Sequence, residues 1–219
     1  MTVSAIVSAY YAKDFIRSRL DNLFMQDPLP EIIVVAQTDS TEAAVASTYK
    51  VKLIKTHHVP TIYSAWNMAI KEATGEYITN ANCDDHTYQG AYAIMARILN
   101  DEPDIAVVYG DENVLDEDRP WERRIKVRPQ CDYTMLQSRC VVGPFPMWRK
   151  SLHDKYGYFD ETLKVCGDYE FWLRIAKGGE RLYHLPQFLG QYHKRAASAE
   201  HRDIYVAMLE NQQVRQKYS

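Results

Sequence analysis

The sequence predicts an α/β fold, a mostly parallel sheet flanked by helices in a single domain. Three observations predict it. Residues 3–10 (VSAIVSAY), 31–36 (EIIVVA) and 104–110 (DIAVVYG) are near-continuous apolar runs rich in β-branched residues, as in strands buried on both faces. Segments with apolar residues at helical spacing alternate with these runs. The strands also run out into polar and acidic turns, where open α/β sheets hold ligands, at the carboxyl ends of their strands.

In chain order, the strand at 3–10 is followed by a helix over 13–26, with Ile16, Leu20, Leu23 and Phe24 on one face. Asp27 to Pro30 stops it. The strand at 31–36 ends in Gln37-Thr38-Asp39-Ser40, and a short helix over 41–49 takes Ser40 or Thr41 as its cap. A third strand covers 51–55. A helix over 62–73 turns Ala65, Trp66, Ala69, Ile70 and Ala73 inward. A strand at 76–79, a helix over 87–100 and the strand at 104–110 complete a repeated β-α alternation, which implies parallel strands with helical crossovers.

After Gly110 the pattern changes. Residues 111–118 (DENVLDED) are acidic and 119–128 (RPWERRIKVR) basic with one tryptophan, so the two halves form a solvated hairpin held by attraction, or a mobile flap that touches a phosphate-bearing ligand. Residues 143–149 (GPFPMWR) are turn-rich and apolar. A helix over 166–177 stops at Gly178-Gly179. One or two strands surround Pro186 within 181–193, and 201–217 forms a C-terminal helix. No repeat, linker or second domain interrupts the chain.

The stretch at 75–86 (GEYITNANCDDH) organises the rest. A short buried strand ends in Asn80, Asn82, Asp84, Asp85 and His86, all of which can coordinate or hydrogen-bond. Asp84 and Asp85 are hard oxygen ligands suited to Mg²⁺ or Mn²⁺, which takes one or two carboxylates and fills its shell with phosphate and water. An Asp-Asp pair ahead of a helix also serves as a simple cap, and these residues alone leave both readings open.

The totals set bounds. A net charge of −3 without a long charge run argues against a broad nucleic-acid footprint. The four cysteines, Cys83, Cys131, Cys140 and Cys166, have neither CxxC nor zinc spacing, and read as reduced thiols of a cytoplasmic protein. The apolar N-terminus has no basic leader or cleavage site and reads as a strand. No run approaches the ~18 apolar residues of a spanning helix, so any membrane contact is expected to be peripheral, at the inner face.

Five segments in order resemble glycosyltransferase family 2: VSAIVSAYY, EIIVVAQTDST, YSAWNMAIKEATGEYITNANCDD, MWRKSLHDKYGYFDETLKVCGDYEFWLRIA and YHKRAAS. Each is weak alone; the ordered set spans nearly the whole chain. The resemblance implies the GT-A fold, a Rossmann-like arrangement with a nucleotide-sugar-binding half over 1–110 and an acceptor-side half over 111–219. It also implies inverting transfer of a sugar from a UDP- or dTDP-linked donor to an acceptor hydroxyl, with Mn²⁺ or Mg²⁺ as cofactor. The chain departs from the family in three places. The DxD motif stands here as Asn82-Cys83-Asp84, which weakens the metal site. The usual Glu-Asp before the base helix is Gly167-Asp168. Ala9-Tyr10 occupies the position of a commoner Pro-x-Tyr-Asn.

By that resemblance Asp39 binds the nucleobase, with Ala9 and Tyr10 walling the same pocket. Asn82 and Asp84 hold the ribose and the metal on the diphosphate, and Asp85 contacts the donor sugar. His193 completes the metal site, or Lys194 and Arg195 neutralise the phosphates. Asp168 is the general base, with Glu170 as the alternative. Trp148, in its turn-rich segment, is the candidate for stacking on a sugar ring; the spacing of Trp172 assigns it to the core. The expected partners are the donor and a glycan or other hydroxyl-bearing acceptor, with a homodimer left open. A binding module without activity is the competing reading, favoured by Asn82. Nucleotidyl transfer fits less well, because residues 9–14 (AYYAKD) contain no glycine-rich phosphate loop.

Overall fold

The computed structural model describes residues 1–195 and 204–219. Its strands are β1 (Val3–Ala9), β2 (Glu31–Gln37), β3 (Lys52–Thr56), β4 (Tyr77–Asn80), β5 (His86–Thr87), β6 (Ile105–Asp116), β7 (Arg124–Lys126), β8 (Met147–Arg149) and β9 (Arg181–Lys194). The helices are α1 (Ile16–Phe24), α2 (Thr41–Ala46), α3 (Ile62–Glu72), α4 (Ala91–Asp101), α5 (Tyr133–Ser138), α6 (Leu152–Tyr156), α7 (Gly167–Lys177) and α8 (Ile204–Tyr218).

All nine described strands join one sheet in the order β3-β2-β1-β4-β8-β6-β9-β5, with β7 on the free edge of β6. The first four are parallel, as the alternation predicts. Beyond β4 the sheet is mixed. β8 enters antiparallel between β4 and β6, which makes β6 parallel to β4, and β9 continues parallel to β6. The carboxyl ends of β1, β2, β3, β4, β6 and β9 therefore all reach the same edge.

Each face of the sheet carries its own core. Ile16, Leu20 and Leu23 of α1 pack with Tyr92, Met95 and Leu99 of α4 on one face. On the other, Trp66 of α3 meets Phe171 and Trp172 of α7 and Val214 of α8. Local chemistry sets the helix starts. Ser40 Oγ accepts from Ala43 N at 3.1 Å and Thr61 Oγ1 from Ser64 N at 3.1 Å.

The structure corrects several expectations. The helix expected over 87–100 begins only at Ala91, after Gly90 in the left-handed region with φ 82°. Thr87 N and Thr87 O bond instead to the Asn22 side chain, which holds His86–Thr87 as strand β5 against β9. The turn-rich segment at 143–149 ends in β8 because its apolar residues fill the gap between β4 and β6. Trp148 is consequently fully buried, ringed by Phe159 and Trp172, and donates from Nε1 to His153 Nε2 at 2.9 Å. It cannot stack on a sugar. The segment around Pro186 is one long strand, β9, with register shifts where it passes Asp111. The hairpin of opposite charge exists as β6 and β7, but three of its acids, Asp111, Glu112 and Asp116, are buried, and only Glu117 and Asp118 at its turn are exposed. Glu112 and Asp116 are each 1% exposed, the first paired with Arg128, the second with Arg124 and Lys194. For the C-terminal helix, positions 201–203 lie outside the described residues.

Candidate active site

Asn82 to Asp85 follow β4 at the carboxyl edge, and His193 to Arg195 arrive there on the end of β9. The two segments are tied together. Asp85, 5% exposed, accepts from His193 N at Oδ1 (3.0 Å) and from Asn82 Nδ2 at Oδ2 (3.0 Å). Burial first, and the neighbouring Asp84 carboxylate second, push Asp85 up to about 7, against the pull of those two donors. Its carboxylate thus faces inward and braces the turn. Below it lies Arg19, 1% exposed, whose Nη1 donates to Asp85 O (3.3 Å), Thr87 Oγ1 (3.1 Å) and Asn22 Oδ1 (2.7 Å).

Asp84 is more open. Arg195 donates to its Oδ2 from Nη2 at 2.6 Å and from Nε at 2.9 Å, while the guanidinium lies 4.3 Å from the Phe15 ring centroid. The His193 ring stands edge-on to the same Phe15, with centroids 6.0 Å apart. Lys194 turns away, with Nζ 3.1 Å from Asp116 Oδ2. Cys83 is packed beneath, its Sγ 3.6 Å from Ser8 O, and burial pushes its thiol up to about 12.

Among the described residues no three acids, histidines or cysteines cluster as a metal cage. A hard divalent cation does not need one, because it fills its shell from phosphate and water beside one or two carboxylates. The donors in this turn, the Asp84 carboxylate and the amide oxygen of Asn82, fit that role and no stronger one, while the His193 ring packs on Phe15.

The turns after β1 and β2 lie at the same edge. Ala9 is buried and pairs with Ala36, and Tyr10 OH lies 2.7 Å from Thr56 Oγ1 at the end of β3. Asp39 is exposed and left-handed, with φ 62°. Ser40 caps α2, so the Asp39 carboxylate is not spent on that cap. Tyr11 adopts the same unfavourable backbone region with φ 55° and is 78% exposed. Such positions cluster where ligands bind, since the surrounding structure must hold them.

Asp168 lies in the first turn of α7, a helix that runs down to the start of β9, so this turn also sits at the carboxyl edge. Its Oδ1 accepts from Tyr63 OH at 3.0 Å and from Tyr169 N at 2.8 Å. Tyr63 comes from the start of α3, just after the end of β3. The segment before β8 links the two sides. Asn80 Nδ2 donates to Pro144 O at 3.2 Å, and Leu136 O, earlier in the same stretch, accepts from the hydroxyl of Tyr169, the residue after Asp168. Glu170 is excluded as an alternative base. It is 1% exposed and bound by Arg174, by Lys217 Nζ (2.9 Å) and by Tyr218 OH (2.5 Å).

Residues 4–159 match the model of glycosyl transferase family 2. The chain belongs to glycosyl transferase family 2. An uncharacterised glycosyltransferase of Rickettsia typhi is 28% identical over 192 residues, covering 80% of this chain and 58% of the relative, so the chain spans little more than half of that protein's length. Among solved structures, Staphylococcus aureus TarS 1-349 in complex with UDP-GlcNAc superposes with a TM-score of 0.76 at 17% identity, over 100% of this chain and 71% of that one. The mannosyltransferase PcManGT from Pyrobaculum calidifontis, in complex with GDP-Man and Mn²⁺, gives a TM-score of 0.70 at 22% identity, over 92% of this chain and 59% of that one. Both show the GT-A fold of the family. Among the described residues no helix is long and apolar enough to cross a membrane.

Sequence reasoning missed four residues that shape this candidate site: Phe15, Arg19, Tyr63 and Glu210, the last bonded to the backbone of 164–166 ahead of Asp168. Tyr63 carried one signal, its place right after the Thr61 cap at the sheet's carboxyl edge. The other three meet their partners across long separations that local periodicity does not encode.

Proposed function

We propose that this domain is an inverting glycosyltransferase, moving a sugar from a nucleoside diphosphate donor to an acceptor hydroxyl. One observation carries the reading: the turn bearing Asp84 and the helix start bearing Asp168 lie on one edge of the sheet, and the chain from α5 to β8 touches both the end of β4 and the first turn of α7. Residues 1–110 then form the donor half and 111–219 the acceptor half. TarS, bound to UDP-GlcNAc, favours a UDP-linked donor.

In this reading Asp39 takes the base, with Ala9 and Tyr10 beside it. Asn82 takes the ribose, and Asp84 with His193 holds a divalent cation, Mn²⁺ by analogy with PcManGT. When bound, that cation stabilises negative charge on the departing diphosphate. Asp85 braces the turn from inside, and its contact to the donor sugar would go through Asn82. Asp168 accepts the proton of the acceptor hydroxyl. The freed oxygen attacks the anomeric carbon from the face opposite the diphosphate, which leaves with the electron pair of the broken C–O bond. Holding both groups in line removes much of the entropic barrier.

The test replaces Asp168 with Asn. Release of UDP from UDP-sugars should fall ~10²–10⁴-fold, the usual worth of a general base, while calorimetric binding of UDP stays unchanged. Full turnover in that variant would remove Asp168 from its role. A second reading is a donor-binding module without turnover, favoured by Asn82 and by the hold of Arg195 on Asp84. UDP binding with no hydrolysis or transfer from any UDP-sugar would support it.

A further inference from the structure

We propose that Glu210, together with Tyr63, is a positioning residue for Asp168, holding the loop that presents this carboxylate to the acceptor. The inference rests on the reading of Asp168 as the base.

Glu210 belongs to α8, is 7% exposed and reaches the loop that leads into α7. Its Oε1 accepts from Lys164 N at 2.7 Å, and its Oε2 from Val165 N at 2.8 Å and Cys166 N at 2.9 Å. Three successive backbone N–H groups pointing at one anion form the kind of cradle that usually receives a ligand's phosphate or carboxylate. Here the chain supplies the anion itself. A buried carboxylate costs free energy unless it is fully hydrogen-bonded, and Glu210 forms no ion pair among the described residues. Its return is geometric: the loop cannot shift without breaking three charge-assisted bonds.

Tyr63 grips the same loop from the opposite side. Its hydroxyl lies 2.5 Å from Val165 O and 3.0 Å from Asp168 Oδ1, so its single proton is shared between the loop carbonyl and the carboxylate, with the shorter bond to the carbonyl. Its ring fills the space beside Gly167, where a Cβ would come within 2.6 Å of Tyr63 Cδ2. Asn211, next to Glu210, donates from Nδ2 to Cys166 Sγ at 3.1 Å. The two residues ahead of Asp168 are thus held by side chains from two distant helices.

The experiment uses the full chain and Glu210→Gln, which keeps the shape but turns an N–H donor toward the N–H groups. Amide exchange is followed by mass spectrometry in parallel with UDP release from UDP-sugars, water serving as acceptor. The expected result is exchange about tenfold or more faster across 164–168, with α8 still protected. Turnover should fall by a similar factor, with the KM for donor and the Kd for UDP within about twofold of wild type. In an Asp168→Asn background, Glu210→Gln should add no further loss. Unchanged exchange at 164–168, or a loss that adds fully to that of Asp168→Asn, overturns the proposal. If Glu210→Gln loosens α8 itself, Tyr63→Phe removes only the hydroxyl, and the same split between turnover and UDP affinity decides. If Asp168→Asn retains turnover, the reading of the base fails and the exchange result still stands alone. If Asp168→Asn is inactive while both positioning variants match wild type, only the positioning role fails.

Discussion

Arg195 closes on Asp84 with two nitrogens on a single carboxylate oxygen, at 2.6 and 2.9 Å. The pair is partly buried, each side chain 18% exposed, and it occupies the carboxylate that a divalent cation would use. In the proposed reading, arginine and metal would compete for Asp84, and a displaced Arg195 would remain on the turn after β9, where a leaving diphosphate needs positive charge.

Arg195→Gln should consequently bind Mn²⁺ several-fold more tightly than wild type in the absence of nucleotide, since the competing cation is gone. It should bind UDP without metal about tenfold more weakly, the scale of one lost charge-assisted hydrogen bond. Calorimetry with Mn²⁺ alone and with UDP in EDTA measures both. Equal Mn²⁺ affinity in the two proteins would show that the ion pair does not guard the metal site.

Asp39 is exposed in a left-handed turn, and its helix is capped by its neighbour Ser40. Asp39→Gly should leave thermal stability unchanged or slightly higher, because glycine adopts φ near +60° without steric cost. UDP affinity should drop by about tenfold. Ser40→Ala should do the opposite, costing about 1 kcal/mol of stability with little effect on UDP. Thermal melts paired with UDP titrations separate a ligand contact from a structural one.

His153 is 3% exposed, stacked between Phe171 and Tyr158, and accepts the Trp148 indole N–H at Nε2. Indole can only donate, so the imidazole proton sits on Nδ1, directed at Gly157 O, and the ring is neutral. Burial lowers His153 from 6.5 to about 4. A depressed histidine stabilises the folded state fully above the unfolded value, and this contribution fades as pH falls from 6.5 through 4. Folding stability should drop by about 2 kcal/mol between pH 7.5 and pH 5 from this group alone. Urea titrations read by tryptophan fluorescence measure it, and His153→Gln, which can still accept the indole N–H, should flatten that part of the profile.

The parallel half of the fold was legible because each of its strands is a local apolar run and each helix a local period. The turn at 82–85 was legible for the same reason: it ends a strand. The insertion of β8 was not. Three residues, Met147 to Arg149, gain their meaning only from β4 and β6 on either side, and a turn-rich context made Trp148 look accessible when tertiary packing had claimed it. The charged hairpin misled similarly, since burial of Glu112 and Asp116 depends on arginines folding back over them. Glu210 left no trace in its own helix, because its partners are backbone N–H groups, which every sequence has.

The contact between Gly167 and the Tyr63 ring limits how this sequence can change. Any side chain at 167 collides with the aromatic face, and a smaller residue at 63 would release both the loop carbonyl and the acid at 168. Neither position can drift alone. Descendants that acquire an acidic residue at 167 must already have exchanged the tyrosine, so the two sites should be inherited as a pair.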